Sequence, residues 1–390
     1  MKTKYYRENI SKLIDNNNYR ILRETVKNGK YITFNNREYL NLSSNDYLGI
    51  SGNTVLWHNF LENKILNVNN FLGSNSSSRL LTGNSEHYTQ LENYLLTLYK
   101  SEAALVFNSG YHANIGILPA LTTKKDLIIN DKLVHASIID GIKLSDAENI
   151  YYQHNNTEQL EEILKTKRHL YKNVFIVTES VFSMDGDYAD LVKLIEIKEK
   201  YDTFLYVDEA HAIGTIGKQG LGLSEELNII SKIDFIIGTF GKAVASQGAF
   251  VICNNLFRNY LINKMRSLIY TTALPPIILE WTYFILQYVV TMNNERLHLK
   301  QFSDFFRNKI SSLGYKTNGS SQIIPLIVGE NIKCIKLADY LQDNGVFILP
   351  VRPPTVPDGT SRLRFSITAN INLSEIENVI KLLENIKHEL

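Results

Sequence analysis

Thiols are scarce in this chain: its 390 residues include two cysteines, Cys253 and Cys334. Two cysteines make one disulfide at most, and neither sits in a metal-ligand spacing, so no disulfide framework and no metal site is expected. A reducing, cytoplasmic setting fits that usage. A surplus of either charge is also lacking. Lysine plus arginine total 41 and aspartate plus glutamate 40, a formal net charge of +1. No global field is there to draw nucleic acid or an acidic membrane surface, and neither partner is expected. The longest apolar stretch, Ile277 to Met292, is too short for a membrane span and is interrupted by Glu280 and Gln287. It reads as a buried helix. The opening residues Met1 to Glu8 mix charges without an apolar core, so no secretory leader is expected. Two motif look-alikes fail. Gly214 to Gly222 is glycine-rich but lacks the Gly-x-Gly-x-x-Gly order, and no Lys-Ser/Thr pair follows it. Asp185-Gly-Asp187 is too short for a calcium loop. There is no repeat, low-complexity linker or like-charged tail.

What is present is an ordinary globular composition, 44% apolar and 21% charged. The length suits two domains rather than one compact core. Residues 1–50 read as an N-terminal segment. Ile10, Leu13 and Ile14 fall at helical spacing, and short strands at Tyr31–Phe34 and Tyr39–Leu42 flank an Asn35-Asn36 turn. From 51 to 285 apolar runs alternate with helical patterns. The runs are Ala104–Phe107, Leu127–Ile129, Val174–Thr178, Phe204–Val207, Phe235–Ile237 and Ala249–Cys253, with a helix such as Leu191–Tyr201 between them. Alternation of this kind predicts a large α/β domain on a mainly parallel central sheet. Pro275-Pro276 punctuates the chain before the long apolar helix. Residues 286–390 read as a smaller C-terminal α/β domain. Its predicted helices are Glu295–Leu313, Ile332–Asn344 and one from Ser374. Its predicted strands are Ile323–Val328, Val346–Pro350 and Arg362–Ile367.

Two tracts end abruptly in polar or small residues, as buried parallel strands do at their carboxyl ends. Phe204 to His211 delivers Asp208, and Ile236 to Lys242 delivers Lys242. Either residue alone admits a plainer reading, a helix-capping aspartate or a surface lysine. Together they suit pyridoxal 5′-phosphate (PLP), whose aldehyde takes a lysine and whose pyridinium takes a carboxylate partner. Phe107 to Asn114 follows a strand and opens a helical pattern, so Gly110 and Tyr111 are candidate phosphate contacts at a helix N-terminus. An ordinary strand–helix turn is the alternative. His135 also follows a strand; it could stack on a flat ring or be a packed core histidine. His211, three residues after Asp208, could face the same site, as could Ser183 beyond another strand end. Arg362 and Arg364 alternate on one strand and share a face. Such an arginine could pair with a carboxylate through two bonds, or both could face solvent.

Eight tracts in order carry a resemblance over almost the whole chain. They are Asn45 to Gly49, Ser78 to Gly83, His87 to Glu92, Asn108 to Tyr111, His135 to Ser137, Thr178 to Gly186, Val207 to His211 and Thr239 to Lys242. Together they resemble the α-oxoamine synthases, PLP enzymes of fold type I. The tracts Pro325 to Gly329 and Arg352 to Thr360, running on to Arg364, look most like the branch that serves biotin synthesis. The resemblance implies Lys242 as the Schiff-base lysine, Asp208 as the pyridinium partner and His135 stacked on the ring. It implies His211, Ser183 and Thr239 as cofactor-holding residues, with Gly110 and Tyr111 at the phosphate. It implies Arg364 on the amino-acid carboxylate and Arg20 on the acyl substrate, with Asn45 and Thr355 lining the site. Thr271 or Thr272 would reach the phosphate of a neighbouring subunit in a homodimer. One departure stands out. Ser74 to Arg79 replaces a family Gly-Ser-Gly-Gly-Ser-Arg, and serine lacks the φ > 0 freedom of glycine.

The expected reaction is a decarboxylating condensation of L-alanine with a pimeloyl thioester, of CoA or of a carrier protein. A relative joining glycine to an acetyl thioester is the near alternative. A catalytically idle PLP-binding regulatory subunit is the alternative of another class, and an intact Lys242, Asp208 and His135 set speaks against it.

Overall fold

The computed structural model describes residues 2–64 and 73–387. They form two compact units. One comprises Asn53–Ser183 and Tyr188–Arg296, the other Met1–Gly52, Met184–Asp187 and Leu297–Leu390. Among the described residues no helix is long and apolar enough to cross a membrane.

The larger unit is built on a seven-stranded sheet. In chain order its strands are β1 (Ala103–Phe107), β2 (Leu127–Asp131), β3 (Glu148–Tyr152), β4 (Val174–Glu179), β5 (Phe204–Asp208), β6 (Phe235–Thr239) and β7 (Ala249–Cys253). Their spatial order is β1-β7-β6-β5-β4-β2-β3. Only β7 runs antiparallel to its neighbours, pairing β1 and β6; the rest of the sheet is parallel. Every residue of β1, β2, β4, β6 and β7 is buried, as continuous apolar runs require when helices cover both faces. Strand β3 escapes the sequence pattern for the opposite reason. It is the exposed edge, and Glu148 and Asn149 open it.

Helices α1 (Glu86–Tyr99), α2 (Gly110–Leu121), α3 (Ala136–Leu144), α4 (Leu191–Tyr201) and α5 (Pro276–Val289) pack in the same unit. Helix α2 begins where the Ser109 side chain accepts from His112 N, a polar N-cap. Helix α5 begins on Pro276, whose missing N–H costs nothing in a first turn. Its long apolar pattern is buried through Leu279, Trp281, Ile285, Leu286 and Val289, as the sequence predicts.

In the other unit, Tyr31–Phe34 and Arg37–Asn41 form a hairpin. Its two turn residues, Asn35 and Asn36, have φ of 50° and 59°, the left-handed pair that a two-residue hairpin turn demands. The single strand expected at Val346–Pro350 is instead two. Val346–Phe347 pairs in parallel with Arg37–Asn41, and Pro350–Val351 pairs with Ser361–Ser366. Proline cannot donate to a ladder, so Pro350 takes an edge position in a second sheet. The first pairing ties the N-terminal residues to the C-terminal ones. Residues 184–187 join them through Gly186 (φ 69°), whose carbonyl accepts from Ser320 N and Ser321 N; a Cβ there would lie 2.1 Å from Ile323 O. Asp185 accepts from the buried Arg362 at 2.6 Å, so Arg362 is spoken for structurally.

Strand β1 lies at a sheet edge, where backbone groups lack a ladder partner. Glu92 of α1 closes that edge. Its buried carboxylate accepts from Val106 N at 3.0 Å, from Arg79 at 2.8 Å and from Arg258 at 3.1 Å. Arg79 also donates to Val106 O and Arg258 to Ala104 O. Glu92→Ala leaves two guanidinium groups and a strand N–H without their partner. It is expected to cost about 3–5 kcal/mol, the range for breaking a buried ion pair. Denaturant titration of the apoprotein checks this; a loss below about 1 kcal/mol, the scale of a surface pair, would contradict it.

Candidate active site

Strands β4, β5 and β6 end side by side, and a cavity of about 170 Å³ opens beyond them. The strand ends place Glu179, Asp208 and Thr239 on its wall. Ala210 and His211 follow from the turn after β5, and Lys242 from the loop after β6. Gly110, Tyr111 and Asn114 come from α2, and His135 and Ser137 from the start of α3. A ligand space beyond carboxyl strand ends, facing a helix N-terminus, is where this architecture collects its chemistry. A Cβ at Gly110 would meet Thr239 at 3.8 Å, an ordinary contact, so glycine there keeps backbone open and relieves no clash.

One hydrogen-bond chain organises the wall. Asp208 accepts from Asn114 Nδ2 at 2.8 Å and from Ala210 N at 2.9 Å. A carboxylate only accepts, which fixes the Asn114 amide with its nitrogen toward Asp208 and its oxygen toward Tyr206. The Tyr206 hydroxyl duly donates to Asn114 Oδ1 at 2.6 Å. Asn114 Nδ2 also donates to Ser137 Oγ at 2.9 Å, and Ser137 Oγ lies 2.7 Å from His135 Nδ1. Ser137 N donates to the same Nδ1, so in the neutral ring Nδ1 is the acceptor and Nε2 carries the proton. Burial holds the His135 pKa below its ordinary value, against the opposing pull of Asp208.

Glu179 is the unexpected member. It is 2% exposed, and its Oε1 has no hydrogen-bond partner. Burial, reinforced by the neighbouring Asp208, pushes its carboxyl pKa well up; Lys242 and the His135 backbone oppose the shift. Neither Glu179 nor Asn114 was singled out from the sequence. Asn114 could have been found, since it lies one helical turn beyond Gly110 on the same face. Glu179 sits between Thr178 and Ser180 and gives no such signal.

The expected residues divide by place. Lys242, Asp208, His135, His211, Thr239, Gly110 and Tyr111 meet at the cavity. Ser183, Thr271 and Thr272 belong to the same unit but are not on its wall. Thr272 O accepts from Asn108 Nδ2 at 2.7 Å, with Thr271 Oγ1 3.4 Å from the same nitrogen. Arg20, Asn45, Thr355 and Arg364 belong to the other unit. There Arg20 donates to Thr355 Oγ1 at 2.8 Å, and both line a second cavity of about 300 Å³ together with Arg23 and Arg352. Arg364 donates to the Tyr47 hydroxyl at 3.0 Å and to Ser366 Oγ at 2.7 Å, and Tyr47 is 3.0 Å from Asn45 Oδ1.

The shift at Glu179 has a signed consequence. The unfolded chain ionises a glutamate near about pH 4.3. The folded value is raised, so the group's contribution is fully present below that pH and is lost as pH rises toward the folded value. Glutamine cannot suffer that loss. Glu179→Gln apoprotein should therefore gain stability over wild type as pH rises from about 4 to 8. Denaturant midpoints across that range check it, and a difference that does not change with pH would mean that Glu179 is ionised in the fold.

Comparison with known proteins adds three findings. Residues 37–383 match the family model described as aminotransferase class I and II. A Haemophilus influenzae protein, provisionally named 8-amino-7-oxononanoate synthase, is 49% identical over 372 residues, covering 95% of this chain and 97% of its own. Among solved structures, the 8-amino-7-oxononanoate synthase of Francisella tularensis superposes with a TM-score of 0.76 at 32% identity, covering 90% of this chain and 98% of its own. A serine palmitoyltransferase from S. paucimobilis with PLP–myriocin bound superposes with a TM-score of 0.90 at 26% identity, covering 100% and 98%.

Proposed function

For a chain that belongs to the aminotransferase class I and II family, we propose a PLP-dependent acyl transfer: L-alanine condenses with a pimeloyl thioester to give 8-amino-7-oxononanoate, CO₂ and free thiol. The chain is an α/β PLP-dependent transferase of fold type I, and its cofactor is pyridoxal 5′-phosphate. The observation that carries the assignment is one cavity holding an amine, Lys242, and a carboxylate already held by two donors, Asp208. That donor set fits a pyridine ring with an aldehyde on one side and a nitrogen on the other. The flat His135 ring and the α2 N-terminus suit the ring face and the phosphate. The unpartnered Glu179 oxygen is a further sign that the cavity is a place for a polar ligand.

When bound, the cofactor supplies an electron sink for a broken Cα–H bond. The chain's residues do the rest. Lys242 Nζ would hold the cofactor by its aldehyde and would serve as the base that takes the substrate Cα proton. Asp208 holds the pyridine proton through a charge-assisted bond, with Asn114 and the Ala210 amide fixing its orientation. His135 presents Nε2–H and no positive charge to the ring, because burial keeps it neutral. His211, Thr239 and Ser183 are assigned to cofactor orientation, and Gly110 and Tyr111 to the phosphate. On the likeness of their motifs, Arg364 and Asn45 are assigned to the amino-acid substrate and Arg20 with Thr355 to the acyl substrate. A cytoplasmic homodimer, with Thr271 or Thr272 serving the neighbouring subunit's phosphate, belongs to the same reading.

A second reading, a different amino acid with a different acyl donor, draws on the higher TM-score with serine palmitoyltransferase. The identity of 49% with the Haemophilus protein favours the first. Borohydride reduction should fix the cofactor on Lys242, read by peptide mapping, and fixation on any other lysine would remove the assignment. Matched assays of L-alanine and glycine with pimeloyl and acetyl thioesters should favour L-alanine with pimeloyl. One methyl group beside the reacting carbon is worth roughly a ten- to two-hundredfold preference. If glycine with acetyl-CoA gives the highest kcat/KM, the substrate assignment is wrong while the cofactor assignment stands.

A further inference from the structure

The loop that carries Lys242 is fastened from outside the cavity. It spans 240–248, between β6 and β7. Internal bonds close it: Phe240 N to Gly248 O, Ser246 N to Phe240 O and Ala245 N to Lys242 O. In the middle, Ala245 has φ 49°, a left-handed conformation that a non-glycine residue keeps only where its surroundings impose it. Helix α5 supplies that imposition. The buried Trp281 indole donates through Nε1 to Ala245 O at 3.0 Å. One residue on, Thr282 Oγ1 lies 2.7 Å from Ser246 Oγ. Thr282 gives its own proton to Ile278 O at 2.6 Å, so Ser246 is the donor of that bond. Trp281 is itself held, stacked on Trp57 with ring centroids 3.8 Å apart and planes 2° from parallel, with Phe60 edge-on at 5.2 Å.

We propose that Trp281, seconded by the Ser246–Thr282 pair, is a positioning residue: its indole N–H holds Ala245 in the left-handed conformation and so fixes where Lys242 enters the cavity. The inference rests on the covalent role of Lys242 proposed above. Nothing in the packing of α5 alone requires a hydrogen bond to that carbonyl, because a phenyl ring could fill the stack with Trp57. Nor does the turn require an alanine. Glycine would adopt a positive φ without the side-chain conflict, so the observed residue marks a conformation held by its neighbours.

Three variants separate positioning from packing. Trp281→Phe keeps an aromatic ring against Trp57 and deletes the donor. Trp57→Phe weakens the stack and leaves the donor. Ala245→Gly in the Trp281→Phe background gives the turn a residue that holds positive φ unaided. The measurements are the rate at which apoprotein captures added PLP, the fraction then fixed on Lys242 by borohydride, the melting temperature, and kcat and KM for the amino acid. Trp281→Phe should slow both capture and kcat about tenfold, the scale of one lost hydrogen bond, with KM little changed. Trp57→Phe should lower the melting temperature and leave capture at the wild-type rate. Ala245→Gly should return part of the capture rate lost in Trp281→Phe. Wild-type capture and kcat in Trp281→Phe would overturn the proposal. So would a capture loss in Trp57→Phe that matches that of Trp281→Phe, since the effect would then be packing. Borohydride fixation in the wild type on a lysine other than Lys242 would remove the reading underneath, a failure distinct from these two.

Discussion

Two carboxyl groups, Glu179 and Asp208, stand in register on adjacent parallel strands, both nearly without solvent. In a medium of low dielectric, two like charges that close are not both tolerated. The structure resolves the conflict by unequal provision. Asp208 receives two firm donors, the Asn114 amide and the Ala210 N–H, while one oxygen of Glu179 receives none. The donors therefore converge on Asp208, and Glu179 is the group that burial and its neighbour push toward the neutral acid. A cavity with one donor-held carboxyl group and one amine on its wall can pair both with a ligand that brings a proton on one ring nitrogen and an electrophile at the other end. A second ionised carboxylate would compete for the same amine.

The rest of the larger unit serves that arrangement. Parallel strands deliver successive side chains to one end of the sheet, so three neighbouring strands bring Glu179, Asp208 and Thr239 to one cavity. Helix α2 then reaches in from the other side. Its first turn offers backbone at Gly110 and Tyr111, and one turn later Asn114 locks Asp208. The same asparagine orients His135 through Ser137, so the pyridine-nitrogen partner and the ring-stacking residue share one hydrogen-bond chain. The left-handed residue of the lysine loop, Ala245, takes no part in this chain and is bonded instead by Trp281 of α5.

Much of this was legible in the sequence because the physics is local. Buried strands are short apolar runs, and six of the seven, all but β3, were read from such runs; five of those six are buried throughout. A side chain at the end of such a run has one place to go, which is why Lys242 and Asp208 could be read together from their tracts, whereas Thr239 was reached only through the resemblance. The Asn35-Asn36 turn was legible too, since few other pairs accept two positive φ values. What depended on pairing was not. Strand β3 is an edge with polar residues, and the Val346–Val351 region divides between two sheets only because Arg37–Asn41 and Ser361–Ser366 each claim one piece of it.

The site shows the same division between local and distant causes. Arg362 and Arg364 look alike from the sequence, two residues apart on one strand. Their roles part because Asp185, 177 positions before Arg362, reaches the first, while Tyr47 and Ser366 surround the second. Only a contact from far along the chain turns Arg362 into a structural ion pair, so Arg364 is left as the stronger candidate for a carboxylate substrate. Glu179 is harder still to read. A glutamate between threonine and serine after an apolar run looks like a solvated strand end, and nothing nearby in sequence marks it as buried. Its character comes from Asp208 on the next strand and from the His135 backbone, both brought there by the sheet and by α3. Motif reading thus finds residues whose chemistry their own tract dictates. It passes over residues whose chemistry is conferred by a neighbour, and in this cavity those are the ones that decide where the charge lies.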